Sequence, residues 1–307
     1  MKRTVLITGA GGFVGSALAE AQIAQGHAVL ATDLAFDAEA RARLGTAQLI
    51  EGPLPEVLAA LTGITADVVI HAAAITADPA RLGLTRAGHL GANTGLLLAA
   101  LDWTRSHGAG RFVFLSSSGV FGLASGPDAV DERAPATATD PYSAAKRAGE
   151  ILLSGASEPG FETVTLRLGP VFGPHEGTRP TRPTPSLVAR MIAAARDDGE
   201  IRVATPHARR DWTFLPDIAR ATGILLDHPG ALPPVLHVTS GKALCDLDMA
   251  QAIAAHFPGT QVLTMPDAPA HPPRPVMVSG VSSPLDGFVW NPVSNALAAI
   301  LPARAPA

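Results

Sequence analysis

Close to the start of the chain stands the stretch Thr8-Gly9-Ala10-Gly11-Gly12-Phe13-Val14-Gly15. It follows the short apolar run Thr4 to Ile7 and leads into Val14 to Gln25, a segment of helix length. Its spaced glycines allow a tight turn, close approach of the backbone to a pyrophosphate, and close packing of helix on strand. The first turn of the helix then offers backbone N–H groups to the phosphates. The stretch therefore predicts a strand-turn-helix unit that binds a dinucleotide.

A carboxylate indicates which dinucleotide this is. Asp33 stands at the end of the second strand-like run. A carboxylate there accepts hydrogen bonds from both ribose hydroxyls and repels a 2′-phosphate. The nearest basic residues, Arg41 and Arg43, lie too far along the chain to reverse this preference. We therefore expect NAD rather than NADP.

Short apolar runs alternate with helix-length segments over the first half of the chain, and several runs are apolar on both faces. This pattern is typical of a parallel sheet covered by helices on both sides. The predicted strands are Thr4 to Ile7, Ala28 to Ala31, Gln48 to Ile50, Asp67 to Ile70, Arg111 to Leu115 and Thr163 to Leu166, and the predicted helices are Val14 to Gln25, Pro55 to Leu61, His89 to Ser106 and Tyr142 to Ser154. The expected fold class is α/β, a Rossmann-type doubly wound parallel sheet.

Prolines crowd the chain after about residue 170, which predicts passage into a smaller C-terminal substrate-binding lobe. We expect residues 1–169 to form the NAD-binding Rossmann domain, with about 205–240 returning to it. Residues 170–204 and 241–307 would form the lobe. Within the lobe, Pro266 to Pro275 is predicted to be a loop and Asn291 to Ile300 a terminal helix.

Composition and charge argue against several classes of function. Of the 307 residues, 47 % are hydrophobic and 16 % charged, as in a compact soluble protein. The net charge of −4 gives no support to nucleic-acid or membrane binding. The single cysteine, Cys245, excludes an intramolecular disulfide framework and fits a cytoplasmic location. The ten histidines lack paired ligand spacing, so no metal site is expected.

The only tyrosine of the chain, Tyr142, stands four residues before Lys146, one of only three lysines. On a helix these side chains lie on one face. A neighbouring ammonium favours the phenolate and lowers the pKa of the phenol, which ordinarily lies near ~10. The pair is therefore a candidate for proton transfer.

Together with these two motifs, four further stretches resemble the extended short-chain dehydrogenase/reductases, the NAD-dependent epimerase/dehydratase family. They are Val69-Ile70-His71-Ala72-Ala73-Ala74, Phe112 to Gly122, Arg167 to Pro174 and Arg209 to Asp217. The resemblance covers nearly the whole chain. It implies hydride transfer between a secondary alcohol or its ketone and NAD, and a homodimer in which His89 to Ser106 and Tyr142 to Ser154 pack against their copies. Ala145, Ala148 and Leu152 are candidates for that contact.

The resemblance also implies roles for single residues. The catalytic residues would be Ser117, Tyr142 and Lys146, with Ser116 and Ser118 as competitors for the serine position. The cofactor-binding residues would be Gly9, Gly12, Phe13, Val14, Gly15, Asp33, Ala72, Ala73, Ala74, Tyr142, Lys146 and Pro170. The candidate substrate-binding residues are Ser117, Ser118, Arg179, Arg182 and Arg210, with Arg209 and Arg274 as further cations.

Four departures from the family pattern bear on function. His89 falls where relatives have an Asn near the site, and a shifted register offers Asn93 instead. Gly52-Pro53 replaces the usual Gly-Asp pair and weakens the adenine contact. Pro170 offers no polar side chain where epimerases carry Asn, and Ser118-Gly119 lack the acidic pair of the dehydratases.

Three functions stay open at this point. The first is a dehydrogenase for a small sugar, sugar acid or lactone that exchanges free NAD at each turnover. The second is an NAD-retaining nucleotide-sugar epimerase, similar to UDP-glucose 4-epimerase. The third is a non-catalytic NAD-binding module, against which the intact Ser117, Tyr142 and Lys146 argue.

Overall fold

The computed structural model describes residues 2–122, 129–265 and 275–301. Over these residues strands and helices alternate through the first half of the chain. In chain order the strands are β1 (Thr4–Thr8), β2 (Ala28–Asp33), β3 (Gln48–Glu51), β4 (Val68–His71), β5 (Arg111–Ser117), β6 (Ala129–Val130), β7 (Glu162–Leu168), β8 (Val171–Phe172), β9 (Glu200–Val203), β10 (Arg209–Arg210), β11 (Thr213–Phe214), β12 (Val235–Val238), β13 (Leu244–Cys245), β14 (Gln261–Thr264) and β15 (Val276–Met277). The helices are α1 (Phe13–Ala24), α2 (Ala38–Arg43), α3 (Leu54–Ala60), α4 (Arg86–Ser106), α5 (Pro141–Ala156), α6 (Leu187–Asp197), α7 (Leu215–Asp227), α8 (Asp246–Ala254) and α9 (Val293–Ile300).

The central sheet has seven parallel strands in the order β12-β7-β5-β4-β1-β2-β3. The strand order reverses between β1 and β4, so the loops after these two strands diverge at the carboxyl edge of the sheet. In open sheets of this kind, ligands bind in the crevice at that point. The architecture confirms the predicted Rossmann-type α/β fold.

Two apolar clusters cover the two faces of the sheet. One joins the sheet to α1 and α7 through residues such as Leu18 and Ile218. The other joins it to α3 and α4 through residues such as Leu97 and Phe112. A third cluster unites α6, α8 and α9 around Met191. Strand β12 pairs with β7 in the main sheet. The division of the chain into an NAD-binding domain and a smaller substrate-binding lobe stays a prediction.

Helix boundaries differ from the predicted ones where capping residues decide them. Helix α4 begins at Arg86, three residues before the predicted start, because the Thr85 hydroxyl accepts a hydrogen bond from Gly88 N at 2.9 Å. The short helix α2 was not predicted. It begins after Asp37, whose carboxylate accepts from Ala40 N at 2.7 Å. The terminal helix starts at Val293 rather than Asn291 because Pro292 precedes it.

The single cysteine of the chain has a capping role. Cys245 caps α8, its sulfur accepting a hydrogen bond from Asp248 N at 3.3 Å. In the part of the chain that the structure describes, no helix has both the length and the apolar character needed to cross a bilayer. The predicted loop Pro266 to Pro275 lies outside the described residues, except for its last residue.

Candidate active site

The glycine-rich turn joins β1 to α1 at the carboxyl edge of the sheet. Gly9 has φ of +70°, a conformation that L side chains rarely adopt. A Cβ on Gly9 would lie 2.5 Å from Ala73 N, and one on Gly15 would lie 2.1 Å from Gly9 O. Both clashes are with backbone atoms, which cannot rotate away as the end of a side chain can. The turn thus leaves a bare backbone cradle at the N-terminus of α1, which fits a pyrophosphate.

A buried contact ties this turn to the loop after β4. Thr8 and His71 are partners in the pairing of β1 with β4, and Thr8 Oγ1 lies 2.8 Å from His71 Nδ1. Burial, reinforced by the charge of Lys146, lowers the pKa of His71 to about 3. The imidazole is therefore neutral and serves as a hydrogen-bonding brace between the two loops.

Asp33 closes the cradle on the β2 side. Its carboxylate accepts hydrogen bonds from Gly11 N at 2.8 Å and Leu34 N at 2.7 Å. Burial raises the pKa of Asp33, while these N–H groups and the nearby Arg179 act in the opposite direction. Arg41 pairs with Glu51 and Arg43 with Glu20, so neither turns toward Asp33.

Helix α5 carries Tyr142 and Lys146. Asp140 caps its start by accepting from Ser143 N at 3.1 Å, and Pro141 occupies the first turn, as helix starts favour. Lys146 is buried and donates from Nζ to Leu115 O at 2.7 Å. Its Nζ lies 5.7 Å from the centroid of the Tyr142 ring. Phenol and ammonium therefore share one region, as the spacing predicts.

Burial lowers the pKa of Lys146 to about 8, against an opposing effect of Glu150 one turn further along α5. Glu150 forms a buried ion pair with Arg167, whose nitrogens lie 2.9 and 2.8 Å from its carboxylate oxygens, and it accepts from Ser116 Oγ at 2.6 Å. Ser116 and Arg167 are register partners on β5 and β7. The network ties α5 to both strands beneath the site.

Ser117 ends β5 next to this pair. Its hydroxyl oxygen accepts a hydrogen bond from Gly119 N at 3.0 Å. A hydroxyl that accepts in this way keeps its own hydrogen to donate. Ser116 instead donates its hydroxyl hydrogen to Glu150. The neighbouring candidates Ser116 and Ser117 therefore have different hydrogen-bond partners.

One cavity of about 680 Å³ at the carboxyl edge brings these residues together. Every predicted cofactor residue lines it, namely Gly9, Gly12, Phe13, Val14, Gly15, Asp33, Ala72, Ala73, Ala74, Tyr142, Lys146 and Pro170. Ser117, Arg179, Arg182 and Arg210 line it as well. Ligand sites of enzymes commonly have volumes of roughly 300–1,000 Å³. The bare glycine cradle, Asp33 and the cavity fit a dinucleotide.

Three of the candidate residues, Ser118, His89 and Asn93, do not line this cavity. Ser118 is not among the residues that line the cavity, because β5 ends at Ser117 and Ser118 starts a single 3₁₀ turn. Neither His89 nor Asn93 lines the cavity. Asn93 instead accepts from Ile75 N at 2.9 Å and donates to Ile75 O at 3.2 Å, so it holds the loop after β4, which does line it.

The three predicted arginines that line the cavity, Arg179, Arg182 and Arg210, have carboxylate partners that the sequence did not reveal. Arg210 binds the buried carboxylate of Asp246 through two nitrogens, at 2.7 and 2.9 Å. Arg182 pairs with Glu176, and Arg179 lies 3.2 Å from Asp37. Arg209 does not line the cavity. Arg274 lies outside the described residues.

Sequence reasoning missed several lining residues contributed by loops and by α6, including Ile75, Thr76, Thr181, Leu187, Arg190 and Trp212. Thr76 and Ile75 follow the β4 segment Val69 to Ala74, so continuing that motif by two residues would have found them. No motif marks Arg190, which reaches the cavity from α6. Within residues 2–122, 129–265 and 275–301, no cluster of three or more His, Cys, Asp or Glu side chains is arranged to hold a metal ion.

Comparison with known proteins decides the family. Residues 5–238 match the model of the NAD dependent epimerase/dehydratase family. The chain belongs to this family. It is an NAD-dependent enzyme of the epimerase/dehydratase group, as the sequence motifs predict.

The similar proteins in this family catalyse different reactions. The chain is 30 % identical over 268 residues to dTDP-4-dehydro-6-deoxy-D-allose reductase of Streptomyces bikiniensis, covering 82 % of this chain and 81 % of the relative. It is 29 % identical over 210 residues to dTDP-glucose 4,6-dehydratase of Streptomyces niveus, covering 67 % of this chain and 60 % of that relative. The structure of MoeE5 with UDP-glucuronic acid and NAD superposes with a TM-score of 0.78 at 24 % identity, covering 97 % of each chain.

Proposed function

We propose that this protein is an NAD-dependent dehydrogenase that oxidises a secondary alcohol, or reduces the ketone, of a small sugar-like substrate: a sugar, sugar acid or lactone. The observation that carries the proposal is the convergence of Ser117, Tyr142 and Lys146 on the cavity that also holds the glycine cradle and Asp33. Bound NAD supplies the hydride acceptor at this site. The non-catalytic module has no comparable support.

Tyr142, Ser117 and Lys146 have different roles in moving the substrate proton. Tyr142 accepts the proton of the substrate hydroxyl as the carbinol carbon is oxidised, and returns it in the reverse direction. Ser117, with its oxygen engaged by Gly119 N, donates to the substrate oxygen and orients it. Lys146 stabilises the phenolate by its charge and is placed to bind the nicotinamide ribose.

The charges around the cavity favour a small substrate with at most one anionic group. Arg179, Arg182 and Arg210 each have a carboxylate partner, which reduces the charge that they offer to a substrate. Arg190 is the one cavity arginine for which the described part of the chain provides no carboxylate partner. A single uncompensated guanidinium suits a carboxylate better than a diphosphate. We therefore place sugar acids first, with the smaller lobe providing the recognition surface.

The second candidate is an NAD-retaining nucleotide-sugar epimerase. Support for it comes from the relatives, whose names refer to dTDP-sugars, and from MoeE5, which binds UDP-glucuronic acid. Against it stands Arg210, the motif arginine, whose guanidinium is committed to Asp246.

A substrate panel separates the two candidates. The protein is incubated with NAD and, separately, with sugars, sugar acids, lactones and nucleotide sugars, while NADH absorbance and sugar conversion are both followed. A dehydrogenase accumulates one NADH for each substrate oxidised. Conversion of a nucleotide sugar into an isomer without NADH in solution would contradict the proposal and establish the epimerase.

The pKa of Lys146 predicts how turnover depends on pH. Because its pKa is about 8, the ammonium is present below that pH and lost above it. Alcohol oxidation should therefore decline as pH rises through about 8, even though alkaline solution favours release of the substrate proton. In Lys146→Arg the cation persists at all accessible pH values, so this decline should disappear, whatever the remaining rate. An unchanged alkaline decline in Lys146→Arg would contradict the role of Lys146, and pH profiles of kcat provide the measurement.

We also propose a homodimer formed through α4 and α5. These helices carry the exposed apolar side chains Leu98, Ile151 and Leu152, with 41, 70 and 37 % of their surface accessible. Ala145, which was expected to contribute, is instead buried within the chain at 5 %. These three side chains are grouped on two helices that pack on each other, and grouped apolar side chains mark contact surfaces, whereas single exposed ones are ordinary.

Sedimentation velocity tests the dimer. The native chain and Ile224→Glu, a matched change of an exposed isoleucine on α7, should sediment as dimers. Ile151→Glu should sediment as a monomer, because it places a charge in the interface. A monomeric native chain would contradict this proposal.

A further inference from the structure

A short segment connects two sides of the cavity. We name residues 175–182, which follow β8, the strap. Arg179 Nη1 donates to Ala35 O at 3.1 Å, and Nη2 lies 3.2 Å from Asp37 Oδ2. His175, at the start of the strap, contacts Glu39. These three contacts fix the strap to the side of the cavity that Asp33 and the loop after β2 form.

The other end of the strap is fixed to the loop after β4. The carbonyl oxygen of Thr181 accepts hydrogen bonds from Thr76 N at 3.0 Å, Ala77 N at 2.9 Å and Thr76 Oγ1 at 3.1 Å. The backbones of Arg179 and Arg182 exchange two hydrogen bonds, at 3.0 and 2.9 Å, across the intervening Pro180 and Thr181. This tight turn joins the two anchor points almost directly.

The strap lies beside the glycine turn that fits a pyrophosphate. A Cβ on Gly11 would lie 3.1 Å from Arg179 Nη1, so the guanidinium stands against the glycine cradle. The Arg182 guanidinium lies 5.2 Å from the ring centroid of Phe13, the first residue of α1. Arg179, Thr181 and Arg182 all line the cavity. The strap therefore borders the cavity between the loops after β2 and β4, to both of which it is hydrogen-bonded.

We propose that the strap retains bound NAD, and that Arg179 is a cofactor-retaining residue rather than a substrate-recognition residue. Release of the cofactor then requires the strap to detach from one side of the cavity. Arg179 also offers a positive charge beside the cradle, where a pyrophosphate is negative. This inference goes beyond the proposed reaction and depends only on NAD binding, so it stands or falls separately from the choice of substrate.

NADH release measures retention directly. The protein is loaded with NADH, and the fall in NADH fluorescence is followed after rapid mixing with excess NAD. Arg179→Ala should release NADH about tenfold faster, because it loses a charge-assisted hydrogen bond and an ion pair. Asp37→Asn should release it about threefold faster, because Asn keeps an oxygen to cap α2 but loses the charge. Arg196→Ala, which removes an exposed guanidinium paired with Asp197 away from the cavity, should behave as the native chain.

Hydrogen exchange of the NADH complex gives a second readout. The amides of Thr76 and Ala77 donate to Thr181 O, so they should exchange faster in Arg179→Ala than in the native complex. Release within twofold of the native rate in Arg179→Ala would overturn the proposal. Faster release in Arg179→Ala, with Asp37→Asn and both amides unchanged, would overturn the strap as well, since Arg179 would then act only by direct contact with the cofactor.

Discussion

Tyr142→Phe is expected to reduce turnover by about a thousandfold, because the hydroxyl that accepts the substrate proton is removed, and general acid-base groups contribute roughly 10²–10⁴-fold. NADH affinity should stay within about twofold, since the ring remains and Lys146 still donates to Leu115 O. The two quantities are measured separately, turnover by NADH absorbance and affinity by NADH fluorescence titration.

Turnover and NADH affinity should respond differently to loss of the Tyr142 hydroxyl. A variant that misfolds loses affinity and turnover together, and thermal unfolding of the NADH complex detects that case. A properly folded Tyr142→Phe with near-native turnover would show that another group moves the proton. Because Tyr142 is the only tyrosine of the chain, no neighbouring phenol can substitute for it.

Gly15→Ala is expected to weaken NADH binding by at least about a hundredfold, which corresponds to about 2.8 kcal/mol of binding free energy. The added Cβ would lie 2.1 Å from Gly9 O and 2.8 Å from Gly9 C. Both atoms are backbone, so α1 must move away from the turn, and its N-terminus then no longer meets the pyrophosphate. Fluorescence titration with NADH measures the effect.

Gly110→Ala is the matched control, because a Cβ there meets nothing within 4 Å and Gly110 lies just before β5, outside α4 and α5. Its φ is not in the left-handed region, so Gly110→Ala should be about as stable as the native chain. NADH binding should be unchanged in Gly110→Ala. Native-like affinity in Gly15→Ala would contradict the assignment of this turn to the cofactor.

The sequence was sufficient to predict the parts of this protein that depend on local pattern. The glycine turn, Asp33 and the spacing of Tyr142 and Lys146 each fix a short piece of backbone, and parallel topology then brings their ends to one edge of the sheet. Helix α2 was missed although a signal existed: Asp37 can cap it, and Arg41 and Arg43 occupy its last turn.

The electrostatics of the site could not be predicted in the same way. Arg210 and Asp246, or Arg179 and Asp37, are far apart in the sequence, and only the tertiary fold pairs them. Motif comparison therefore identified the arginines but not their carboxylate partners. The same reason applies to Thr181, whose carbonyl meets the loop after β4 through a backbone contact that no side-chain pattern records.

NAD in this cavity is expected to exchange a hydride with the carbinol carbon of the substrate. The most direct test of this transfer uses the active substrate from the panel, labelled with deuterium at the carbon that is oxidised, and mass spectrometry of the NADH produced. Each NADH should carry one deuterium in its nicotinamide ring, and turnover should be slower than with unlabelled substrate when hydride transfer limits the rate. Oxidised product accompanied by NADH without deuterium, with the label released to solvent, would contradict it.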